Sequence, residues 1–267
     1  MKIAVLSDIH GNNIALQTCM EYLEKQAIDA YCFLGDYIGD FPQIRQVMDT
    51  LYRLQKSMPC YLIRGNKEEY ILSGIGEAHP EWDSYPSTVG MLRYARQHLT
   101  REDLSFLEAL PVTARIHIDG MKDIRICHGT QRAVKEQMRP GNSQNKEILA
   151  QVAEEYMLCG HTHRVMALQE YEKIVWNPGA VGLPSIEKHD IKTQFMILHS
   201  DNGAWQPEFI ELDYDIEQVI QEMHDTGLYE TAPYWARTTE CILRGTKVTH
   251  GTILGRAMAL CEQETGR

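Results

Sequence analysis

Five short apolar runs, each ending in a cluster of polar residues, set the strongest limit on how this chain folds. Ile3 to Leu6 precedes Ser-Asp-Ile-His, Tyr31 to Leu34 precedes Gly-Asp, and Tyr61 to Ile63 precedes Arg-Gly-Asn. The other two are Ile124 to Cys127, before His128, and Tyr156 to Cys159, before Gly-His-Thr-His. Runs of this length, bounded by glycine and polar residues, are typical of buried strands. Each predicted strand therefore ends in a polar loop.

The spacing of these runs predicts parallel strands joined by helices. Asp8 and Asp36 are 28 residues apart, and Asp36 and Asn66 are 30 apart, close to the length of about 30 residues of one strand-helix-strand unit. The intervening segments, Asn12 to Asp29 and Gln43 to Lys56, have helical character. Parallel strands joined by right-handed crossovers end at the same edge of a sheet. We therefore expect the polar clusters to converge on one site.

The second half of the chain adds predicted antiparallel strands. Ala114 to Cys127 is typical of a hairpin turning at Asp119-Gly120, and Thr193 to Leu212 of a hairpin turning at Asp201-Asn202-Gly203. Ser87 to Leu110 predicts two helices, the second with Thr100 as its N-cap.

After residue 212 the pattern becomes helical. The predicted helices are Ile216 to Met223, Tyr234 to Leu243 and Ile253 to Cys261. We expect a core of residues 1–212 and a C-terminal helical extension or cap of residues 213–267 packed on it, as a single structural domain.

The excess of acidic residues limits the kinds of partner that this chain can bind. With 37 acidic and 26 basic residues and a net charge of -11, the chain is a poor match for duplex nucleic acid or an anionic membrane, which require clustered cations. No apolar stretch approaches the roughly 18 residues of a membrane span, and the N-terminal apolar run is too short for a signal peptide. The seven cysteines include no C-x-x-C pair. These features predict a cytoplasmic protein and leave open a small anionic ligand bound at a locally positive pocket.

The polar clusters contain carboxylate, imidazole and amide side chains, which bind divalent transition metals. Gathering these groups in one cleft without a cation is costly, and they are too many for one tetrahedral ion. The alternative, hydrogen-bonded strand ends, requires a coincidence at each of the five strands. The candidate ligands are Asp8, His10, Asp36, Asn66, His128, His161 and His163.

The ordered set of these motifs resembles the calcineurin-like metallophosphoesterase superfamily, in its bacterial phosphodiesterase and diadenosine tetraphosphatase-like branch. The resemblance covers about residues 1 to 212, and as an ordered set it is specific. The matching elements are Asp8-x-His10, Gly35-Asp36, Gly65-Asn66, His128-Gly129, Gly160-His161-Thr162-His163 and the loop Asn177-Pro178-Gly179-Ala180-Val181-Gly182.

The resemblance implies an α/β fold, a four-layer αββα sandwich of two mixed β-sheets flanked by helices. It also implies two divalent or mixed-valence metal ions (Mn, Fe or Zn) bridged by Asp36, and phosphoester hydrolysis by direct attack of a metal-bound hydroxide, with Asp36 and Asn66 acting in catalysis. One ion would take Asp8, His10 and His163, and the other Asn66, His128 and His161.

Lys67 departs from the family pattern, in which a histidine commonly follows the asparagine. An ammonium offsets charge on phosphoryl oxygens but is a poor proton donor near neutrality. A catalytic Lys67 favours substrates with good leaving groups, such as phosphoanhydrides. The alternative is a lysine that points into solvent together with Glu68 and Glu69.

Several further residues have two interpretations each. Arg64 and Arg132 lie within four residues of a candidate ligand, so each is either a phosphate-binding residue or part of a surface ion pair. Four others line a pocket rim or anchor the extension by packing: His189, Tyr234, Trp235 and His250.

Three functions compete at this point. The first is a metallophosphoesterase acting on a small phosphorylated substrate, most plausibly a nucleotide such as a dinucleoside polyphosphate. The second is a Ser/Thr-type phosphoprotein phosphatase, and the third is a non-catalytic scaffold on the same fold. A pocket closed by the extension favours nucleotides, an open groove favours proteins, and loss of ligands marks a scaffold.

Overall fold

Two five-stranded mixed sheets form the centre of the molecule. The computed structural model describes residues 1–74, 86–185, 190–246 and 250–266. The strands are β1 (Lys2–Leu6), β2 (Ala30–Phe33), β3 (Cys60–Leu62), β4 (Thr113–Ile116), β5 (Ile124–Cys127), β6 (Tyr156–Leu158), β7 (Val165–Glu170), β8 (Lys173–Pro178), β9 (Thr193–Asp201) and β10 (Ala204–Leu212).

The α-helices flank the sheets, and within the described ranges none combines the length and apolar character that a bilayer crossing requires. They are α1 (Asn13–Leu23), α2 (Ile44–Ser57), α3 (Asn66–Leu72), α4 (Pro86–Gln97), α5 (Arg101–Ala109), α6 (Asn145–Leu149), α7 (Ile216–Asp225), α8 (Leu228–Thr231), α9 (Pro233–Leu243) and α10 (Ile253–Thr265).

Sheet 1 has the strand order β10-β9-β1-β2-β3. Strands β1, β2 and β3 are parallel, as the spacing of their polar loops predicts, and the hairpin β9–β10 adds two antiparallel strands beside β1. The carboxyl ends of β1, β2 and β3 therefore lie at one edge of the sheet.

Sheet 2 has the order β4-β5-β6-β8-β7. Strands β5, β6 and β8 are parallel, and β4 and β7 are antiparallel edge strands. The two histidine-bearing loops follow β5 and β6, so they also share one edge.

Three clusters of buried side chains separate the layers. Residues of β1 alternate with a period of two. Ile3 and Val5 face sheet 2, where they join Ile126 of β5, whereas Ala4 and Leu6 belong to the cluster that includes helices α1 and α2. A third cluster packs α6 against the outer face of sheet 2. The predicted sandwich of two mixed sheets flanked by helices is confirmed.

One predicted boundary was wrong and one predicted hairpin is confirmed. Helix α1 ends at Leu23 instead of Asp29, and Ala27 nearby has a left-handed φ of 49°, which a helix cannot continue through. The predicted hairpin of β4 and β5 is confirmed: it turns at Asp119-Gly120, where Met121 N–H donates to the Ile118 carbonyl (3.0 Å). Its loop also bonds to the β9–β10 turn, from Lys122 N–H to the Gly203 carbonyl (3.0 Å).

The C-terminal helices α7 to α10 join the same buried cluster as the helices on sheet 1. Helix α4 meets them closely: a Cβ atom on Gly90 would lie 2.3 Å from the Thr231 carbonyl oxygen, so only glycine fits there. Leu92 of α4, Trp235 of α9 and Ile253 of α10 are all buried in this cluster. Helices α7 to α10 therefore pack against the helices that cover sheet 1.

Candidate metal centre

The loops that follow the parallel strands meet through their backbones. In sheet 1, Asp8 N–H donates to the Gly35 carbonyl (3.1 Å) and His10 N–H to that of Asp36 (2.9 Å). In sheet 2, Gly160 N–H donates to the His128 carbonyl (2.7 Å). Backbone hydrogen bonding between neighbouring segments thus continues beyond the ends of the strands and fixes the loops relative to one another.

The Asn-Pro-Gly loop connects the two sheets at this edge. Gly182 N–H donates to the Asp8 carbonyl (2.9 Å). The Asn177 side-chain amide donates to the Gly160 carbonyl (2.7 Å) and contacts Thr162 Oγ1 (3.1 Å). The ligand-bearing loops of both sheets are therefore held against each other.

Five of the seven candidate ligands have left-handed backbone conformations. The residues are Asp8, His10, Asp36, His161 and His163, with φ between 54° and 65°. Each such non-glycine residue costs of order 1–3 kcal/mol, and such residues cluster at functional sites. These left-handed conformations turn the side chains toward the centre.

Asp8 presents one carboxylate oxygen to the centre. Its Oδ2 accepts hydrogen bonds from Ser7 Oγ (2.6 Å) and from the His161 N–H (3.1 Å). Its Oδ1 is buried and accepts no hydrogen bond from the described part of the chain, although His163 Nε2 lies 3.1 Å and His10 Nε2 3.7 Å away. A buried carboxylate oxygen among imidazole nitrogens fits a metal ligand.

Asp36 lies between two histidines. Its Oδ2 is 3.5 Å from His10 Nε2, and its Oδ1 is 3.5 Å from His128 Nε2. The same Oδ1 accepts the Lys67 N–H (2.8 Å). One oxygen of Asp36 therefore faces each side of the centre.

Two groups of side chains have the spacing of a metal site. Asp8, His10 and His163 form one, and Asp8, Asp36 and His128 form the other, with the ligand atoms of each group within 4.8 Å of one another. Asn66 Oδ1 is 3.0 Å from His128 Nε2. The His161 ring packs edge-on against His128, with centroids 5.3 Å apart. All seven predicted ligands thus lie together.

The outer nitrogens of two histidines fix the direction of their inner ones. His128 Nδ1 donates to the Leu34 carbonyl and His163 Nδ1 to the Leu183 carbonyl, each at 2.7 Å. In the neutral ring Nε2 is then an acceptor, yet His128 Nε2 faces the oxygens of Asn66 and Asp36. Acceptors that face acceptors need a cation between them, which is a proton on Nε2 or a metal ion in its place, and carbonyl anchoring is typical of metal-bound histidine. These residues fit a metal centre.

Buried charge shifts the pKa of several of these groups. Burial alone would raise the pKa of Asp8 and of Asp36, but the neighbouring imidazoles hold both well below the usual range. Burial opposes the charge on His128, yet Asp36 and Asp8 raise its pKa to about 10. Burial and the nearby His128 lower the pKa of His161 to about 4, so its ring is neutral at pH 7 and offers a lone pair. The centre attracts positive charge.

Glu68 links the second and third loops, a role that the motif analysis missed. This fully buried side chain accepts the backbone N–H groups of Asp36 (2.9 Å), Tyr37 (2.9 Å) and Gly65 (2.8 Å). Gly65 is close to this junction, because a Cβ there would lie 2.2 Å from Asp36 Oδ1. A glutamate at the third position of a helix, as in a capping box, was the available signal.

Lys67 does not point into solvent, which corrects that alternative. It is 6% exposed, its Nζ lies 3.3 Å from Asp40 Oδ1, and it faces the Trp235 ring at 5.2 Å from the centroid. Asp40 Oδ2 is in turn 3.4 Å from His10 Nδ1. Asp40, which the sequence analysis did not single out, therefore connects Lys67 to a candidate ligand.

A cavity of about 210 Å³ opens beside the centre. Asp36, Asn66, Lys67, His161 and His163 line one side of it. Helices α4, α9 and the start of α10 supply a second, mainly apolar part of the lining, in which Trp235 faces Lys67. Its residues include Met91, Leu92, Trp235, Ile253 and Leu254, and Tyr70, Gln137 and Gly251 complete the lining.

The remaining predicted residues lie elsewhere or outside the described residues. Arg64 Nη1 donates to the Glu108 carbonyl (3.1 Å), and Arg132 pairs with Glu136. Neither lines the cavity, so phosphate binding by either stays a prediction. Tyr234 does not line it either. His189 and the side chain of His250 lie outside the described residues.

Comparisons with known proteins give one consistent result. A family model described as calcineurin-like phosphoesterase superfamily domain matches residues 1–203. The uncharacterized protein MJ0912 of Methanocaldococcus jannaschii is 22% identical over 253 residues, which span 85% of this chain and 94% of that protein.

Two solved structures have a similar fold. Hypothetical protein PH1004 of Pyrococcus horikoshii superposes with a TM-score of 0.75 at 24% identity, covering 92% of this chain and 99% of that one. A metallophosphoesterase from Sphaerobacter thermophilus superposes with a TM-score of 0.68 at 22% identity, covering 87% and 97%. At these identities the likeness shows a shared fold.

Proposed function

The chain belongs to the calcineurin-like phosphoesterase superfamily, and we propose that it hydrolyses a phosphodiester or phosphoanhydride bond of a small phosphorylated substrate, above all a nucleotide, at a binuclear centre of Mn, Fe or Zn. The observation that carries the proposal is the buried Asp8 Oδ1, which no described hydrogen-bond donor satisfies and which imidazoles surround. Asp36 is the proposed bridge, because its two oxygens face different histidines.

The chain's own residues supply position and charge. Two bound metal ions would lower the pKa of a water nucleophile and neutralise charge on the phosphoryl group. Asp8, His10 and His163 would hold one ion, and Asn66, His128 and His161 the other. The carbonyl bonds of the His128 and His163 rings keep their Nε2 atoms directed inward, and Glu68 fixes the loops of Asp36 and Asn66.

Lys67 is the proposed charge partner of the phosphoryl oxygens. Its side chain lines the cavity next to Asp36 and Asn66, and Asp40 keeps it there. An ammonium held by a carboxylate stabilises negative charge but donates a proton poorly. Leaving groups that depart without protonation, such as phosphate in an anhydride or an aryl oxide, are therefore preferred.

The shape of the site favours a small substrate over a protein. Helices α4, α9 and α10 line the site together with the ligand loops, so the ligands lie in a pocket and not on a flat surface. This supports a small-molecule phosphoesterase over a phosphoprotein phosphatase. The complete ligand set, brought together in one place, supports catalysis over a non-catalytic scaffold.

The test is metal reconstitution followed by a substrate panel. Protein stripped with a chelator is reloaded separately with Mn²⁺, Fe²⁺ or Zn²⁺. It is then assayed with bis(4-nitrophenyl) phosphate, nucleoside polyphosphates, cyclic nucleotides and phosphopeptides. We expect about two metal equivalents per chain and metal-dependent turnover of the small substrates. Turnover of phosphopeptides alone would indicate a protein phosphatase, and full loading without turnover of any substrate would indicate a scaffold.

A further inference from the structure

The cavity beside the metal centre has two chemically different sides. The side made by the ligand loops carries Asp36, Asn66 and Lys67, whereas the facing side carries Leu92, Trp235 and other apolar side chains. A phosphoryl group is directed at the first side, which carries the Lys67 ammonium and the candidate metal ligands, whereas the leucine and isoleucine side chains of the second side offer it neither charge nor a hydrogen bond. The organic part of the substrate is then directed at the second.

The apolar side is a fixed surface. Helix α4 approaches the end of α8, just before α9 begins, so closely at Gly90 that a Cβ atom would collide with the Thr231 carbonyl. Trp235 is 4% exposed and lies over the Lys67 ammonium, which connects this surface to the ligand loops. The distance between the two sides is therefore set by packing.

Leu254 is incompletely covered although it belongs to this surface. It is 38% exposed, and of the large hydrophobic side chains that the described ranges leave exposed (Met1, Val165, Tyr171 and Leu254) it alone lines the cavity. An apolar ligand group placed there would remove Leu254 from water, which is favourable in proportion to the area buried. A hydroxylated or charged group would lose its water without replacement.

We propose that this surface, with Trp235, Ile253 and Leu254 as specificity-determining residues, selects phosphorylated substrates that place the face of a flat aromatic ring, such as a nucleobase or a phenyl group, against it. The inference rests on the proposed phosphoesterase function and narrows its substrate class. The cavity, with a volume of about 210 Å³, has room for one such ring beside the metal centre.

The experiment measures binding of non-hydrolysable phosphonates to the metal-loaded full chain by calorimetry. Phenylphosphonate and 2-hydroxyethylphosphonate present the same charged group with different organic parts. We expect phenylphosphonate to bind at least about tenfold more tightly, the discrimination that an apolar pocket typically provides. Leu254→Gln should reduce this preference roughly fivefold without changing metal content. Leu260→Gln, the same change on α10 at a residue that does not line the cavity, should leave the preference intact.

The outcomes separate this inference from the proposed function. Equal affinity for the two phosphonates in the unmodified protein, or an equal loss of preference in both variants, overturns the inference while leaving a phosphonate-binding metal centre in place. If neither phosphonate binds and no phosphoester is hydrolysed with any metal, both the inference and the proposed function fail. Thermal melting of the two variants confirms that each remains folded.

Discussion

The polar and apolar sides of the cavity face each other, yet the chain builds them in different ways. The polar side consists of loops that directly follow strands, and its ligands have left-handed backbones held by hydrogen bonds such as those of Glu68. The apolar side comes from helices α4, α9 and α10, far apart in sequence and held by close packing at Gly90. Binding chemistry is thus concentrated in short motifs, whereas the shape of the site depends on the whole fold.

Among the described residues, one cation–π contact joins the two sides. Lys67 belongs to the ligand loops and Trp235 to the extension, and the ammonium lies 5.2 Å from the ring centroid. We therefore expect substitutions on the polar side, on the apolar side and at this contact to change different properties of the protein, namely metal content, kcat or stability.

The largest effect is expected from Asp36→Asn on the polar side. The change removes the charge of the proposed bridging carboxylate, so metal content should fall and turnover should drop by about 10³-fold or more. Metal analysis and a phosphodiesterase assay measure the two effects. Asp119→Asn, at a fully exposed side chain, is the control. Unchanged activity in Asp36→Asn would rule out the binuclear centre.

A smaller, purely catalytic effect is expected from Lys67→Met. The variant retains most of the side-chain volume beneath Trp235 but removes the cation, so kcat should fall roughly 10²-fold while metal content stays at the unmodified level. Lys122→Met removes an exposed lysine that pairs with Glu155 and should not change kcat. If Lys67→Met keeps the full rate, its ammonium does not contact the phosphoryl group.

The smallest effects are expected when the same substitution, glycine to alanine, is made once on each side of the cavity. In Gly65→Ala the new Cβ would lie 2.2 Å from Asp36 Oδ1, so we expect a loss of about 1–3 kcal/mol in stability and about tenfold in metal affinity. In Gly255→Ala on α10 nothing lies within 4 Å of the new Cβ, and stability should rise by about 0.5–1 kcal/mol. Chemical denaturation measures the stability of both variants, and metal titration measures their metal affinity. A loss of metal affinity in Gly255→Ala would contradict the expected difference between the two sides.

Much of the polar side was predictable because it depends on local pattern. The apolar run before Asp8, the 28 residues to Asp36 and the 30 to Asn66 follow from the repeating unit of a parallel sheet. Glycine beside five of the seven candidate ligands marked the loops. Asp40 and Glu68 were missed because their roles depend on contacts that no spacing rule encodes.

The apolar side was not predictable in the same way. Leu92 and Leu254 are ordinary apolar residues of helical segments, and only tertiary packing decides that they line a cavity. The hairpin of β7 and β8 was missed for a related reason: its turn uses Tyr171 and Glu172 at φ of 52° and 60°, where glycine or asparagine is the usual signal.

The left-handed backbones at the centre have a consequence for which amino acids these positions tolerate. Asparagine and glycine adopt such φ angles most readily, whereas valine, isoleucine and threonine pay a steric cost even where side-chain chemistry is irrelevant. In a saturation library at His10 or His163, a variant would thus have to meet two separate requirements. It must allow the left-handed backbone of the loop, and it must supply a side chain that acts as the candidate ligand does. Stably expressed but inactive members should be rich in asparagine and poor in β-branched residues.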